Sequence, residues 1–472
     1  MKQLIVISTL LFFTNTLAVD HSDLDSSIDK HQELFENIAM QIWDIAEVGY
    51  QEHKSSKLLQ DTLKDHGFNI QNNVANIPTA FIAEYGSGKP VIAILGEFDA
   101  LPGVAQSASP FKETYKDNQA GHACGHHLFG SGSAWSSVVI KDWLIANKIK
   151  GTIRFYGTPA EEGGSGKVYM ARAGLFNDVD VALHWHPGSV SHARPRTSNA
   201  NKSAKFTFKG ISAHAASAPE QGRSALDGVE SMNMMVNLMR EHIPQDSRIH
   251  YVITKGGLAP NVIPDEAQVY YYVRHPKRKM VDNLFERVSL AAKGAAMGTG
   301  TEVSYEVMHG NYPLMPNETI QRIMHEKLSD RGGITYSSAE NEFANEIFKT
   351  FLSPSAQIGD QRNILPYETT HGYGSTDVGD ISWLVPTGGA RIATWVPGTP
   401  AHSWQAVASG GTTIGLKGTK LAVQVLSETA KEIYLNPSIV KKAKTELLIN
   451  VGEDFNYVPL LGDRNPPLDY RN

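Results

Sequence analysis

The spacing of apolar residues changes twice along this chain, and the changes outline its architecture. Over about residues 27–66, Phe35, Ile38, Ile42 and Ile45 recur at intervals of three or four. That interval draws a single apolar stripe and predicts a helix. Val91-Ile92-Ala93-Ile94-Leu95 is an unbroken apolar run, the pattern of a strand buried on both faces. Similar runs follow at Thr152–Tyr156 and Val179–Leu183, with helical stretches between them. Strand–helix alternation of this kind predicts an α/β sheet covered on both sides.

After about Ser198 the period becomes two. Lys205–Lys209 alternates, and so does Gln268–Arg274, where Val269, Tyr271 and Val273 interleave with Tyr270, Tyr272 and Arg274. Half-buried antiparallel strands follow from that pattern. Helical stretches at about Gly222–Glu241 and Lys279–Met297 lie among them. Beyond Tyr312-Pro313 the chain returns to helices, Gly-rich loops and apolar strands such as Arg391–Val396. The middle segment, 199–312, therefore reads as a small α+β domain inserted between the two parts, 19–198 and 313–472, of a larger α/β domain.

Composition narrows the function classes. The 472 residues are 41% hydrophobic, and 43 basic against 49 acidic residues leave a net charge of −6. That length exceeds the roughly 250–300 residues at which single cores stop growing, in keeping with two domains. An acidic balance argues against nucleic acid as the main partner. At the N-terminus, Lys2 precedes the apolar run Leu4–Phe13, and Ala18 follows Thr16-Leu17. A charge, a short apolar run and a small residue read as a secretory signal over residues 1–18. The expected protein is exported, periplasmic or secreted, with no membrane attachment once the signal is removed. Asn201-Lys202-Ser203 and Asn317-Glu318-Thr319 match glycosylation acceptors.

One cysteine excludes an intrachain disulfide, and its surroundings explain why an exported chain would keep it. Cys124 lies in Gly121-His122-Ala123-Cys124-Gly125-His126-His127, where a thiolate and an imidazole two residues apart can converge on one ion. Glu97 and Asp99 follow a buried strand, at the position that faces the ligand crevice of open α/β sheets. Glu161-Glu162 follows another strand, and adjacent carboxylates in a closed site call for a cation. His184 and His186 end a third strand, and His402 follows a Gly/Pro loop. One cysteine, several histidines and paired glutamates at separate strand ends point to metal-assisted hydrolysis. The competing readings are a cysteine-nucleophile hydrolase and an exported, non-catalytic binding protein for acylated amino acids.

These motifs, with Gly210–Leu226, Gly256–Ala267, Ser375–Pro386 and Gly398–Gln405, resemble the amidohydrolase branch of the dinuclear metallopeptidases. That branch holds aminobenzoyl-glutamate, auxin-conjugate and hippurate hydrolases. The resemblance implies a catalytic domain interrupted by a lid that also dimerises, and two divalent ions, zinc or manganese. It implies Cys124 as a bridging ligand, with His126, Glu162, His184 and His402 as further ligands and His186 competing with His184. Glu161 would be the general base. His214 would reach the partner subunit's site in a homodimer, and Asn261 and Arg274 would hold substrate. Many relatives carry Asp where this chain has Glu97. The implied substrates are N-acyl or N-aroyl amino acids, such as aminobenzoyl-glutamate-like conjugates, or short peptides.

Overall fold

The computed structural model describes residues 22–113, 115 and 119–471. The segment 1–18, read from the sequence as a signal, lies outside the described residues. Six strands form the principal sheet, in the order Asn69–Asn72, Phe81–Ser87, Gly151–Gly157, Val91–Gly96, Val181–Gly188 and Thr387–Ala393. The first two run antiparallel and the other four are mutually parallel. From Val91–Gly96 the chain pairs first with Gly151–Gly157 on one side and then crosses to Val181–Gly188 on the other. The reversal opens a crevice beyond the carboxyl ends of these strands, where α/β sheets bind ligands. All six residues of Val91–Gly96 are buried, as an apolar run between two helical layers requires.

The helix anticipated over 27–66 is two helices, Ser22–Ile45 and His53–Asp65. Between them Ala46 (φ 46°) and Tyr50 (φ 65°) adopt left-handed conformations. Gly49 permits the break, because a Cβ there would come within 2.2 Å of the Tyr470 hydroxyl and 3.0 Å of Ala160 Cβ. The apolar periodicity runs on across the turn and conceals it. The break carries Tyr50 and Glu52 beneath the loop that holds Glu161 and Glu162.

The second sheet has four antiparallel strands, ordered Arg248–Lys255, Glu266–His275, Ala200–Lys209 and Glu302–Asn311. Helices Ala225–Met239 and Arg278–Thr299 cover one face. Along Glu266–His275 burial alternates without a break, so Tyr270, Tyr272 and Arg274 share the less buried face. This sheet lies wholly between the fifth and sixth strands of the principal sheet in chain order. The sequons change meaning in the fold. Asn201 and Asn317 are buried, with the Asn201 amide against His309 and Asn317 capping helix Glu318–Arg331.

Candidate metal centre

Each strand end in the crevice contributes one piece of a cluster. Cys124 sits in the turn before helix His126–Asn147, and Gly125 (φ 76°) makes that turn possible. A Cβ on Gly125 would come within 2.6 Å of Pro187, so the missing side chain lets the turn close on the end of Val181–Gly188. Closure brings Cys124 Sγ to 3.5 Å from His186 Nε2. His186 Nδ1 lies 2.7 Å from the Pro187 carbonyl, which can only accept. Nδ1–H therefore donates to that carbonyl, and Nε2 faces the Cys124 sulfur.

The same logic fixes His126. Its Nδ1 donates to Asp99 Oδ1 at 2.9 Å, and Asp99 Oδ2 accepts the Glu162 backbone N–H at 2.9 Å. Asp99 thus orients an imidazole and pins the glutamate loop with one carboxylate, the outer partner that clustered histidines usually have. His126 Nε2 is 3.0 Å from Glu97 Oε2 without hydrogen-bond alignment. Glu97 turns its other oxygen to Lys167 Nζ at 2.6 Å. His402, with φ 61°, places Nε2 3.1 Å from Glu162 Oε1.

Among the described residues, ligand atoms converge in three groups: Cys124, His126 and His186; Cys124, Glu162 and His402; and Glu97, His126 and Glu161. Cys124 belongs to the first two. Glu97 Oε2, His126 Nε2 and Glu162 Oε1 are buried without a hydrogen-bond partner. Such orphaned atoms are costly unless something satisfies them, and here all three belong to residues of the clusters. Thiolate, imidazole and carboxylate together suit a divalent transition metal. The residues present therefore fit the metal that the sequence implies.

Charge distribution agrees. Burial pushes the Cys124 thiol up, but His186 and His126 outweigh it and hold the group well below its ordinary range, as thiolate. Burial, then Glu97 and Glu162, drive the Glu161 carboxyl well above the ordinary range. Burial, then Cys124, lift Glu162 to about 7. Cys124 and Glu162 push His402 up to about 10. A centre this crowded with anions calls for cations.

The geometry corrects the resemblance at one position, where it pointed to His184. His184 lines the cavity but joins none of the three groups. Its Nε2 lies over Gly389, directly across the ladder, where a Cβ would be only 2.2 Å away. Burial lowers its pKa to about 4. His184 and His186 share a sheet face, but His186 stands two residues nearer the loops and meets Cys124 and His126. His214 and Asn261 are not brought to the cluster either. They lie together on the inserted domain, exposed, with His214 bridged to Val262. Arg274 does reach the cavity, a space of about 550 Å³ that the cluster lines on one side.

Several site residues escaped the sequence reading. Lys167, fully buried, joins Glu97 to Asp377, with Nζ 2.7 Å from Asp377 Oδ1. Glu52 accepts the Ala160 N–H at 2.8 Å and so supports the left-handed residue (φ 57°) before Glu161. Tyr470 and Arg471 donate to the Glu162 carbonyl from the far end of the chain. No local signal marks them, since each meets the site across a long stretch of chain.

An α/β catalytic domain with helices on both faces of its sheet, an inserted α+β domain and a cysteine–histidine–glutamate centre define a metal-dependent hydrolase. The model of peptidase family M20/M25/M40 matches residues 93–363, and the chain belongs to that family. It is 38% identical to one of the subunits of p-aminobenzoyl-glutamate hydrolase from Escherichia coli (strain K12), over 90% of this chain and 94% of the relative. It is 26% identical to the Xaa-Arg dipeptidase of Mus musculus, over 90% and 92% of the two chains. Among solved structures, an aminobenzoyl-glutamate utilization protein from Klebsiella pneumoniae shares the fold with a TM-score of 0.61 at 17% identity, covering 86% of this chain and 98% of that one. A dinuclear metal-binding M20 peptidase from Bacillus subtilis does so with a TM-score of 0.57 at 18% identity, over 84% and 98%. Membership of a hydrolase family sets aside the binding-protein reading.

Proposed function

We propose that this enzyme hydrolyses the amide bond of N-acyl or N-aroyl amino acids, including aminobenzoyl-glutamate-like conjugates and short peptides, with two divalent ions, zinc or manganese. The observation that carries the reading is Cys124 standing in two ligand groups at once, with Glu161 beside them. Cys124, His126 and His186 would hold one ion, and Cys124, Glu162 and His402 the other. Metal bound in such a site supplies Lewis acidity, polarising the amide carbonyl and acidifying water. Glu161 takes the proton of the attacking water and delivers it to the leaving nitrogen. Asp99 holds His126 and the Glu162 backbone in register. Arg274 orients a substrate carboxylate with its planar fork.

Two further parts of the reading rest on resemblance and on exposed features. His214 and Asn261 serve a second copy's site in a homodimer built through the inserted domain. Supporting this, Arg248–Lys255 is an edge strand with Tyr251, Val252 and Ile253 exposed, a surface that proteins usually cover. The Escherichia coli hydrolase has two kinds of subunit, so assembly with a different chain is the other outcome of a sedimentation measurement. Export rests on the N-terminal apolar run. Among the described residues no helix is long and apolar enough to cross a membrane.

The test is amine release from a panel of N-acyl amino acids, with metal-loaded, chelated and Glu161→Gln protein side by side. Release lost in both controls is expected. Release that survives chelation would overturn the metal reading in favour of a thiol nucleophile, and an active Glu161→Gln enzyme would overturn the base.

A further inference from the structure

The cavity beside the cluster holds more positive charge than hydrolysis of a monocarboxylate needs. Arg391 lies directly across the sheet ladder from His186, so its side chain emerges on the same face. It passes over Gly188, where a Cβ would come within 2.6 Å of Arg391 Cγ. Arg196 enters from the short strand Arg196–Thr197 and lies along Gly372, where a Cβ would be 2.7 Å from its Nε. Both line the cavity, as does Arg274 from the inserted domain.

Elsewhere the protein pairs its sequestered cations. Lys167 meets Glu97 and Asp377, Arg331 meets Asp25 and Glu428, and Arg154 meets Glu84 and Asp178. Neighbouring Arg194 reaches out to Glu368. Arg391 and Arg196 have no carboxylate within 4.0 Å and no side-chain hydrogen bond among the described residues. Burial and then Arg196 push the Arg391 guanidinium down to about 10, with Cys124 opposing them only in part. A desolvated, unpaired cation is costly, and an anionic ligand would remove that cost. The guanidinium fork matches a carboxylate in shape and hydrogen bonding.

We propose that Arg391 and Arg196 form a second anion subsite, separate from Arg274, which selects N-acyl conjugates of dicarboxylic amino acids. This rests on the hydrolase reading above. One carboxylate goes to Arg274 and the other to the Arg391–Arg196 pair. A neutral or basic side chain would leave the pair unsatisfied, so selection acts on the amino-acid half of the substrate.

The test is calorimetric binding of N-benzyl-L-glutamate, an amine the enzyme cannot hydrolyse, against its neutral isostere N-benzyl-L-glutamine. Wild-type protein is compared with Arg391→Met, Arg196→Met and Arg391→Lys. The diacid is expected to bind wild type about tenfold more tightly, and each Met variant to lose most of that preference. Arg391→Lys keeps the charge but not the fork, and should retain more of the preference than Arg391→Met. Melting temperatures of the Met variants should equal or exceed that of wild type, since each removes an unpaired cation. Equal binding by wild type, or a preference intact in both Met variants, overturns the subsite. If Arg391→Met does not fold, Arg196→Met and Arg391→Lys decide by the same criterion. A diacid preference without release from benzoyl-glutamate would sink the hydrolase reading and leave the subsite standing.

Discussion

Lys167→Met should destabilise the protein severely, and more so at high pH than at low. Lys167 Nζ lies 2.6 Å from Glu97 and 2.7 Å from Asp377, with all three side chains at most 1% exposed. Methionine has nearly the same length, so the perturbation removes charge rather than volume. Asp377 would keep one partner, the backbone N–H of residue 167 at 3.0 Å, and Glu97 only His126. Breaking a buried pair from one side costs about 3–5 kcal/mol, because the remaining charge is left desolvated. In the wild type, burial raises Glu97, but Lys167 and His126 outweigh it and hold the carboxyl well below its ordinary range. A depressed carboxylate contributes stability above its unfolded pKa of about 4.3 and loses it as pH falls through the folded value. In the variant the carboxyls lose their cation and burial raises them, so stability is lost as pH rises. The wild-type contribution is nearly complete from pH 5 upwards, so the variant's trend narrows the gap towards pH 5 and widens it towards pH 8. The assay is the denaturant midpoint of both proteins at the two pH values, at unchanged slope. Asp377→Asn in the Lys167→Met background should recover part of the loss, as coupled neighbours do. A loss under about 1 kcal/mol at pH 8, or one that grows as pH falls, would refute the argument, since a broken buried pair costs more.

Three other outcomes are expected. His186→Ala should lose bound metal by elemental analysis while His184→Ala keeps it, and Cys124→Ala should lose more than His186→Ala because it serves two ligand groups; full metal content in His186→Ala would return the role to His184. Tyr470→Phe removes one hydrogen bond to the Glu162 carbonyl, worth about 1 kcal/mol of loop stability. Combined with Arg471→Ala it should raise hydrogen exchange in 160–165 and lower kcat, and unchanged exchange there would count against the buttress. His214→Ala should lower kcat with sedimentation unchanged from wild type, whereas full activity would remove His214 from the reaction.

Part of this protein could be read from the sequence because the determinants are local. A strand buried on both faces must be an unbroken apolar run, as Val91–Leu95 is, and one covered on a single face must alternate, as Gln268–Arg274 does. The inserted sheet was visible for that reason, and so were Cys124, His126, Glu161, Glu162 and His402 as residues worth attention. The break after Ile45 was not, because a helical stripe carries on across a tight turn whose need arises from Tyr470, more than 400 residues away.

Tertiary structure decided what local pattern leaves degenerate. His184 and His186 have the same parity in one strand, so no periodicity separates them. Their roles diverge because Gly389 faces one across the ladder, while the Gly125 turn packs on Pro187 and delivers Cys124 to the other. Lys167 finds Glu97 70 positions earlier and Asp377 210 later, and Arg391 comes to share a cavity with Arg196 from a similar distance along the chain. The sequence by itself determined which residue types stand at the strand ends, since apolar patterning is written residue by residue. Which atoms converge, which charges stay unpaired and which chain end supports the loop depend on contacts between distant segments, and those exist only once the sheet is assembled.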